Sequence, residues 1–226
     1  MYYRSLALCA LASAALLAAC GDDDDDVTGV NNSTATVRFV NATNTNISVA
    51  NGGTVGAGNS ALAFGASSTC MTLNTSSPNL TFTNSGTNSA ISGFTPSFTS
   101  GGNYTVVAYT DASGNTQFAT LSNAFTPTTG QAGLRVFNAA SGSDNIVLNG
   151  GSGALNSGAT TAFGTSGTFF SVPAGSSTLS FNTGTGTSTL ASTGSVTLTA
   201  GQNSTVVLGP AATGSTTRRA FVTTGC

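Results

Sequence analysis

The chain of 226 residues contains no His, Trp, Lys or Glu, and charged residues make up only 5% of it, against roughly 25% in ordinary soluble proteins. His, Lys and Glu are among the side chains that most often move protons or bind metals near neutral pH, so catalytic and metal chemistry is poorly equipped here. The cations are Arg4, Arg38, Arg135, Arg218 and Arg219. They are too few to neutralise a run of phosphates, which argues against a nucleic-acid partner. Five of the seven acids are the single run at positions 22–26, leaving Asp111 and Asp144, so the formal charge of −2 describes one segment rather than a surface. Gly, Ser, Thr and Asn fill the space, and solubility rests on hydroxyls and amides. Val, Ile, Leu and Phe recur in short alternating runs, which predicts a folded body rather than a disordered one. The length suits one or two domains, each with a modest core.

At the amino terminus Arg4 precedes an apolar stretch over residues 6–17, followed by the small residues Ala18 and Ala19. This pattern predicts a secretory signal peptide over residues 1–19, too short to persist as a membrane-spanning helix. In an unprocessed chain, residues 6–19 should form a detached helix. Leu17-Ala18-Ala19-Cys20 resembles the lipobox of bacterial lipoproteins. That resemblance implies cleavage between Ala19 and Cys20, a thioether-linked diacylglycerol on Cys20, and usually a third acyl chain, such as palmitate, on the freed amine. Each buried methylene contributes about 0.8 kcal/mol, and two or more chains convert reversible contact into stable anchoring. The competing reading is an ordinary signal peptide with an incidental Cys20. Against it, the Cys directly follows the small residues and precedes a polar linker.

Residues 20–34 read as the lipidated Cys followed by an acidic flexible tether, with a reach of roughly 20 Å. Neighbouring aspartates repel one another and stay hydrated, holding the downstream body away from a lipid surface. A homopolymeric acidic run lacks the fixed oxygen geometry of a calcium site, so no metal and no cofactor is expected. Gly21, rather than Asp, follows Cys20, as in outer-membrane passengers under the enterobacterial sorting pattern. The outer membrane is therefore favoured over the inner one, with the body periplasmic or surface-exposed.

Beyond the tether the sequence repeats. Val37-Arg38-Phe39-Val40-Asn41-Ala42 aligns with Leu134-Arg135-Val136-Phe137-Asn138-Ala139 at an offset of 97 residues. Asn51-Gly52-Gly53 then pairs with Asn149-Gly150-Gly151, Ala63-Phe64-Gly65 with Ala162-Phe163-Gly164, and Leu80-Thr81-Phe82 with Leu179-Ser180-Phe181. The offset drifts only to about 100, as expected of a tandem duplication with small gaps in loops. Alternation such as Ala35-Thr36-Val37-Arg38-Phe39 predicts strands with one buried face. Asn51-Gly52, the Ala112-Ser113-Gly114-Asn115 stretch and Pro173-Ala174-Gly175 supply the turns. The predicted fold is all-β: two tandem immunoglobulin-like antiparallel β-sandwich domains, about seven strands each, over residues 35–127 and 128–226. A closed barrel is the runner-up.

The order of these landmarks resembles the bacterial domain-of-unknown-function 4397 family. Its copies open on a strand shaped like residues 37–42 and 134–139 and close on Ala-Gly-x-x-Tyr-Thr-Val. Here the closings are Ser100-Gly101-Gly102-Asn103-Tyr104-Thr105-Val106 and Ala200-Gly201-Gln202-Asn203-Ser204-Thr205-Val206, with Ser204 departing from the aromatic. The resemblance implies a fold and an exported or surface-anchored location, and carries over no catalytic residue.

Arg38 and Arg135 hold equivalent places on the strand face opposite Val37 and Phe39, or Leu134 and Val136. They are candidate ligand-binding guanidiniums, but the favoured reading lays each across its sheet, bonded to carbonyls, with its stem covering apolar surface. A hydroxyl nucleophile needs a base, and the body offers only Asp111 and Asp144, both in turn sequence. No nucleophile-elbow motif occurs, and Gly184-Thr185-Gly186 lacks the following helix of a phosphate loop. Cys9 leaves with the signal peptide and Cys20 goes to lipid. Cys70 and Cys226 remain, as a candidate disulfide or, since Cys70 aligns with Phe169, with Cys70 as a packed free thiol.

The expected function is a noncatalytic, membrane-anchored envelope lipoprotein with a structural, adhesive or ligand-binding role toward an unknown protein or glycan. A subunit of a larger envelope assembly is the first alternative and predicts a contiguous exposed apolar patch. A hydrolase built on a Ser/Thr-Asp pair is the second.

Overall fold

The computed structural model describes residues 33–226 apart from 143–144, 152 and 185–187. The signal peptide with its expected helix, Ala19 and Cys20, the tether up to residue 32, Asp144 and Thr185-Gly186 lie outside the described residues.

The first half of the body contains β1 (Thr34–Asn41), β2 (Ile47–Asn51), β3 (Thr54–Val55), β4 (Met71–Asn74), β5 (Leu80–Asn84), β6 (Ser89–Ile91), β7 (Asn103–Thr110) and β8 (Thr116–Ser122). The second contains β9 (Gln131–Asn138), β10 (Ile146–Gly150), β11 (Gly153–Ala154), β12 (Thr160–Thr161), β13 (Phe170–Pro173), β14 (Gly175–Thr183), β15 (Thr189–Leu198), β16 (Asn203–Gly209) and β17 (Arg219–Thr224), with one 3-10 turn at Asn156–Gly158. Among the described residues these are eight and nine strands, against about seven expected per half. The difference lies in short pieces such as β3, β11 and β12 that extend sheet edges.

Four sheets result. Sheet I has the order β3-β2-β5-β6 and sheet II the order β4-β1-β7-β8. Sheet III, β13-β9-β16-β17, repeats the plan of sheet II. Sheet IV, β11-β10-β14-β15 with β12 added on β10, repeats that of sheet I. Pairing is antiparallel except at the centres of sheets II and III, where β1 runs parallel to β7 and β9 to β16. The chain opens each half in one sheet and returns to it twice from the other: β4 and β13 come back antiparallel to the opening strand, and β7 and β16 come back parallel to it.

Each half is a sandwich with its own core. Ala35, Val37 and Phe39 of β1 face Val49 and Phe82 of sheet I. Leu134 and Val136 of β9 face Leu148 and Phe181 of sheet IV. A third cluster joins the halves: Val40, Ala42, Val107 and Leu121 pack against Phe137, Ala139 and Val207. Sheets II and III therefore press together by their second faces, and residues Asn32–Cys226 form one compact unit instead of two sandwiches joined by a linker. The predicted single buried face holds for β4, whose residues alternate buried and exposed. It fails for β9, buried from Ala132 to Asn138 on both faces, because a sheet covers it on either side.

The asparagine of each opening motif is explained by this packing. Asn41 is fully buried and donates from Nδ2 to the carbonyls of Thr45 and Leu62, both at 2.7 Å, while its Oδ1 accepts from the Thr43 N–H at 2.9 Å. Asn138 does the same work with the Thr161 carbonyl and the Ala140 N–H. One side chain thus satisfies several buried backbone groups where the strand leaves its sheet.

The halves differ in how they are filled. In the first, Phe39, Phe82, Phe94 and Phe118 form one aromatic cluster, with Phe82 and Phe118 centroids 4.5 Å apart. Phe94 comes from the segment after β6, where Gly93 at φ +92° and Pro96 stop the strand. In the second half, β15 continues for ten residues over the corresponding edge.

Candidate functional site

Arg38 and Arg135 both point into the seam between sheets II and III, and each crosses to the other half. Arg38 donates from one guanidinium nitrogen to the carbonyl (2.9 Å) and hydroxyl (2.8 Å) of Thr224 at the end of β17. Arg135 donates to the carbonyl of Ser122, at the end of β8, at 2.6 Å, to Asn123 Oδ1 at 2.7 Å and to Thr205 Oγ1 at 2.9 Å. Ser122 and Thr224 pair with the equivalent residues Tyr104 and Ser204, so the two contacts fall at equivalent places of the repeat. Arg135 is 4% exposed, and burial pushes its pKa down to about 10, which still leaves it charged at neutral pH. The Phe169 ring, 4.4 Å from its guanidinium carbon, and three oxygens take the place of water. These arginines clamp the two halves.

Beside each clamp lies a second fastening. Cys70 and Cys226 are joined as a disulfide with Cα atoms 5.9 Å apart, and the Arg38 guanidinium lies 3.2 Å from the Cys70 sulfur. Both cysteines are exposed, so the buried free-thiol reading of Cys70 does not hold. At the matching place in the other half Phe169 stacks on Phe125, with rings 5.2 Å apart and 12° from parallel. The connector after β8 thus packs on the second half where the chain end bridges to the first.

The repeated Ala-Phe-Gly triplets complete the exchange. Phe64 of the first half lies over β17, edge-on to Phe221 at 5.2 Å and under the Arg219 guanidinium at 3.5 Å. Phe163 packs edge-on against Tyr109 of β7 at 5.8 Å. The residue equivalent to Tyr109 is Gly209, where a Cβ would overlap the Phe64 ring. Gly209→Ala should therefore displace Phe64 and cost about 1–3 kcal/mol. Urea unfolding of the variant measures this, and an unchanged midpoint would contradict the packing described.

Asp111 belongs to the β7–β8 turn. Its carboxylate accepts from the N–H groups of Asn115 (2.8 Å) and Ser113 (2.9 Å) and from Gln117 Nε2 (3.0 Å). The Asn115 N–H chiefly, with the Gln117 and Ser113 bonds, holds its pKa below the usual carboxylate range. A depressed folded-state pKa gives a contribution present above the ordinary Asp range and lost as pH falls through the folded value. The chain has no His to titrate between, so the thermal midpoint should move by less than about 2 °C from pH 5 to 8 and fall only in stronger acid. A calorimetric pH series tests this, and a step near pH 6.5 would contradict it.

Among the described residues, no group of three His, Cys, Asp or Glu side chains is placed to hold a metal, and Val55 is the large hydrophobic that is exposed. The contiguous apolar patch expected of an assembly subunit is thus not present on the described surface, since the apolar faces of sheets II and III cover one another. A cavity of about 150 Å³ opens between sheets III and IV, lined by Val136, Leu148, Leu155, Asn156, Thr161 and Phe170 among others. Sequence reasoning singled out none of these as a site. Its signal was present in the repeat alignment, which sets Val136 against Phe39 and Thr161 against Leu62.

No curated protein matches the chain. Residues 35–149 match the family described as Domain of unknown function (DUF4397), a span that begins in β1 and ends in β10. That span is just over half of the 226 residues and contains the whole first half with both opening motifs, and the chain belongs to this DUF4397 family.

Proposed function

We propose that the chain is a noncatalytic bacterial envelope lipoprotein, anchored through acyl chains on Cys20 and carrying two tandem copies of one β unit as a structural, adhesive or ligand-binding body. The observation that carries this reading is Leu17-Ala18-Ala19-Cys20, set between an apolar leader and an aspartate tether. A Cys70–Cys226 bridge suits an oxidising compartment outside the cytoplasm. The described surface carries few large apolar side chains of its own, so membrane attachment would come from lipid. Asp111, the one body carboxylate among the described residues, is engaged by its own turn rather than by a hydroxyl nucleophile. The partner is a protein or glycan met in the periplasm or at the cell surface, with the outer membrane favoured over the inner one.

Membrane fractionation with intact-mass analysis tests the anchor. The mature protein should begin at Cys20 and carry the mass of its acyl chains, and Cys20→Ser should shift it to the soluble fraction. An unmodified mature start would overturn the reading. A glycan and protein capture screen on the acylated protein separates a binder from a passive spacer.

A further inference from the structure

We infer that the cavity between sheets III and IV is a binding site for a small neutral amide, the acetamido group of an N-acetylated sugar. This rests on the ligand-binding reading above and gives it a site and a ligand class.

The cavity is a product of substitution, because the same backbone frame is filled in the first half. Ser68 N–H bonds the Phe39 carbonyl at 2.9 Å, and Gly167 N–H bonds that of Val136 at 2.9 Å. Ile47 bridges Leu62 where Ile146 pairs with Thr161. In the first half Phe39 and Leu62 belong to the core, and Asn59 is buried with its Oδ1 accepting from the Thr69 N–H and hydroxyl. Val136, Thr161 and Gly167 are each smaller than their counterparts, and about 150 Å³ of space opens where they stand.

That volume is of the size known to hold a ring of six carbons. No charged side chain lines it, which disfavours ions. The apolar lining residues Val136 and Leu148 are buried and Phe170 half-buried, whereas Thr160 and Thr168 are exposed and Asn156 half-buried, so the polar residues of the lining belong to its outer rim and the apolar ones to its floor. A wholly apolar guest would leave that rim unused, and a wholly polar one would desolvate against the floor. An acetamido group has a methyl for the floor and an N–H and C=O for the rim. The rim is also held in an unfavourable shape. Asn156 and Ser157 sit at φ +50° and +53°, a region that asparagine tolerates but serine rarely adopts, next to Leu155, whose N–H bonds the Leu148 carbonyl at 2.8 Å. Strain of this kind persists where surrounding structure enforces it, and clusters at ligand clamps.

Saturation-transfer NMR on the full-length chain in detergent, with N-acetylglucosamine, glucose and N-acetylalanine methylamide each at about 20 mM, tests the site. The acetyl methyl of N-acetylglucosamine should receive the strongest saturation, with millimolar affinity, while glucose receives little. Thr161→Leu and Val136→Phe, which install the first-half residues, should each weaken binding at least tenfold. If one variant does not fold, the other decides. Signal for glucose equal to that for N-acetylglucosamine, no signal for either, or binding that survives the filling variants would overturn the site. An equal or stronger response to the acylated peptide would overturn the sugar assignment. Failure here would leave the acyl anchor and capture by other surfaces standing, whereas absence of any capture would remove the binding reading itself.

Discussion

Breaking the Cys70–Cys226 bridge, by reductant or by Cys226→Ser, should lower the free energy of unfolding by up to about 5 kcal/mol. The bridge spans a sequence separation of 156 residues, so it removes much of the freedom the unfolded chain would otherwise gain. It also fastens the end of the chain, just beyond β17, to the segment that leads into β4, across the seam between the halves. Both cysteines are exposed, so a reductant reaches them without prior unfolding. Urea titrations with and without reductant measure the difference, and non-reducing peptide mapping establishes the bond. Two freely alkylated thiols, or a change of only a few tenths of a kcal/mol, would contradict this account.

Arg135→Ala should cost about 3–4 kcal/mol, and Arg38→Ala about 1 kcal/mol. The two occupy equivalent positions, but their surroundings differ. Arg135 is 4% exposed, bonds three oxygens and lies over Phe169, so truncation takes a charged donor from the Ser122 carbonyl and leaves Asn123 Oδ1 only the Thr105 hydroxyl at 3.2 Å, inside the seam. Arg38 is half-buried, bonds only Thr224 among oxygens, and has the disulfide beside it as an independent fastening. Equilibrium unfolding of both variants with the bridge intact compares them directly. Equal losses would mean that burial does not set the difference.

Much of the architecture was legible in the residues. Alternation in β1 and β4, the turn residues and the two opening motifs anticipate an all-β chain of repeated plan, because side chains on a pleated strand alternate between faces. The parallel centres and the seam were less accessible. Their trace is the near-continuous apolar runs Val106-Val107-Ala108 and Val206-Val207-Leu208, the mark of a strand covered on both faces, which an alternation rule does not register. The arginines illustrate the same limit. Local sequence puts Arg38 and Arg135 opposite the core face, but only the second half's presence turns that face from solvent to interior. The pairing of Cys70 with Cys226 depends on the same long-range packing. The cavity was hidden for a different reason: it arises from atoms missing relative to the other half, and a missing methyl group leaves no motif.

The central structural claim is that the halves fold as one body through the seam of sheets II and III. The chain's tyrosines make it testable, since Tyr104 and Tyr109 lie in β7, Tyr2 and Tyr3 precede the body, and the second half has none. Tyrosine fluorescence therefore reports the first half through Tyr104 and the seam through Tyr109, which packs on Phe137 and Phe163, while far-UV circular dichroism reports the strands of both halves. Superimposable urea transitions from the two signals are predicted, as expected of a single cooperative unit. A fluorescence transition clearly separated from the circular dichroism one would show two independently unfolding sandwiches.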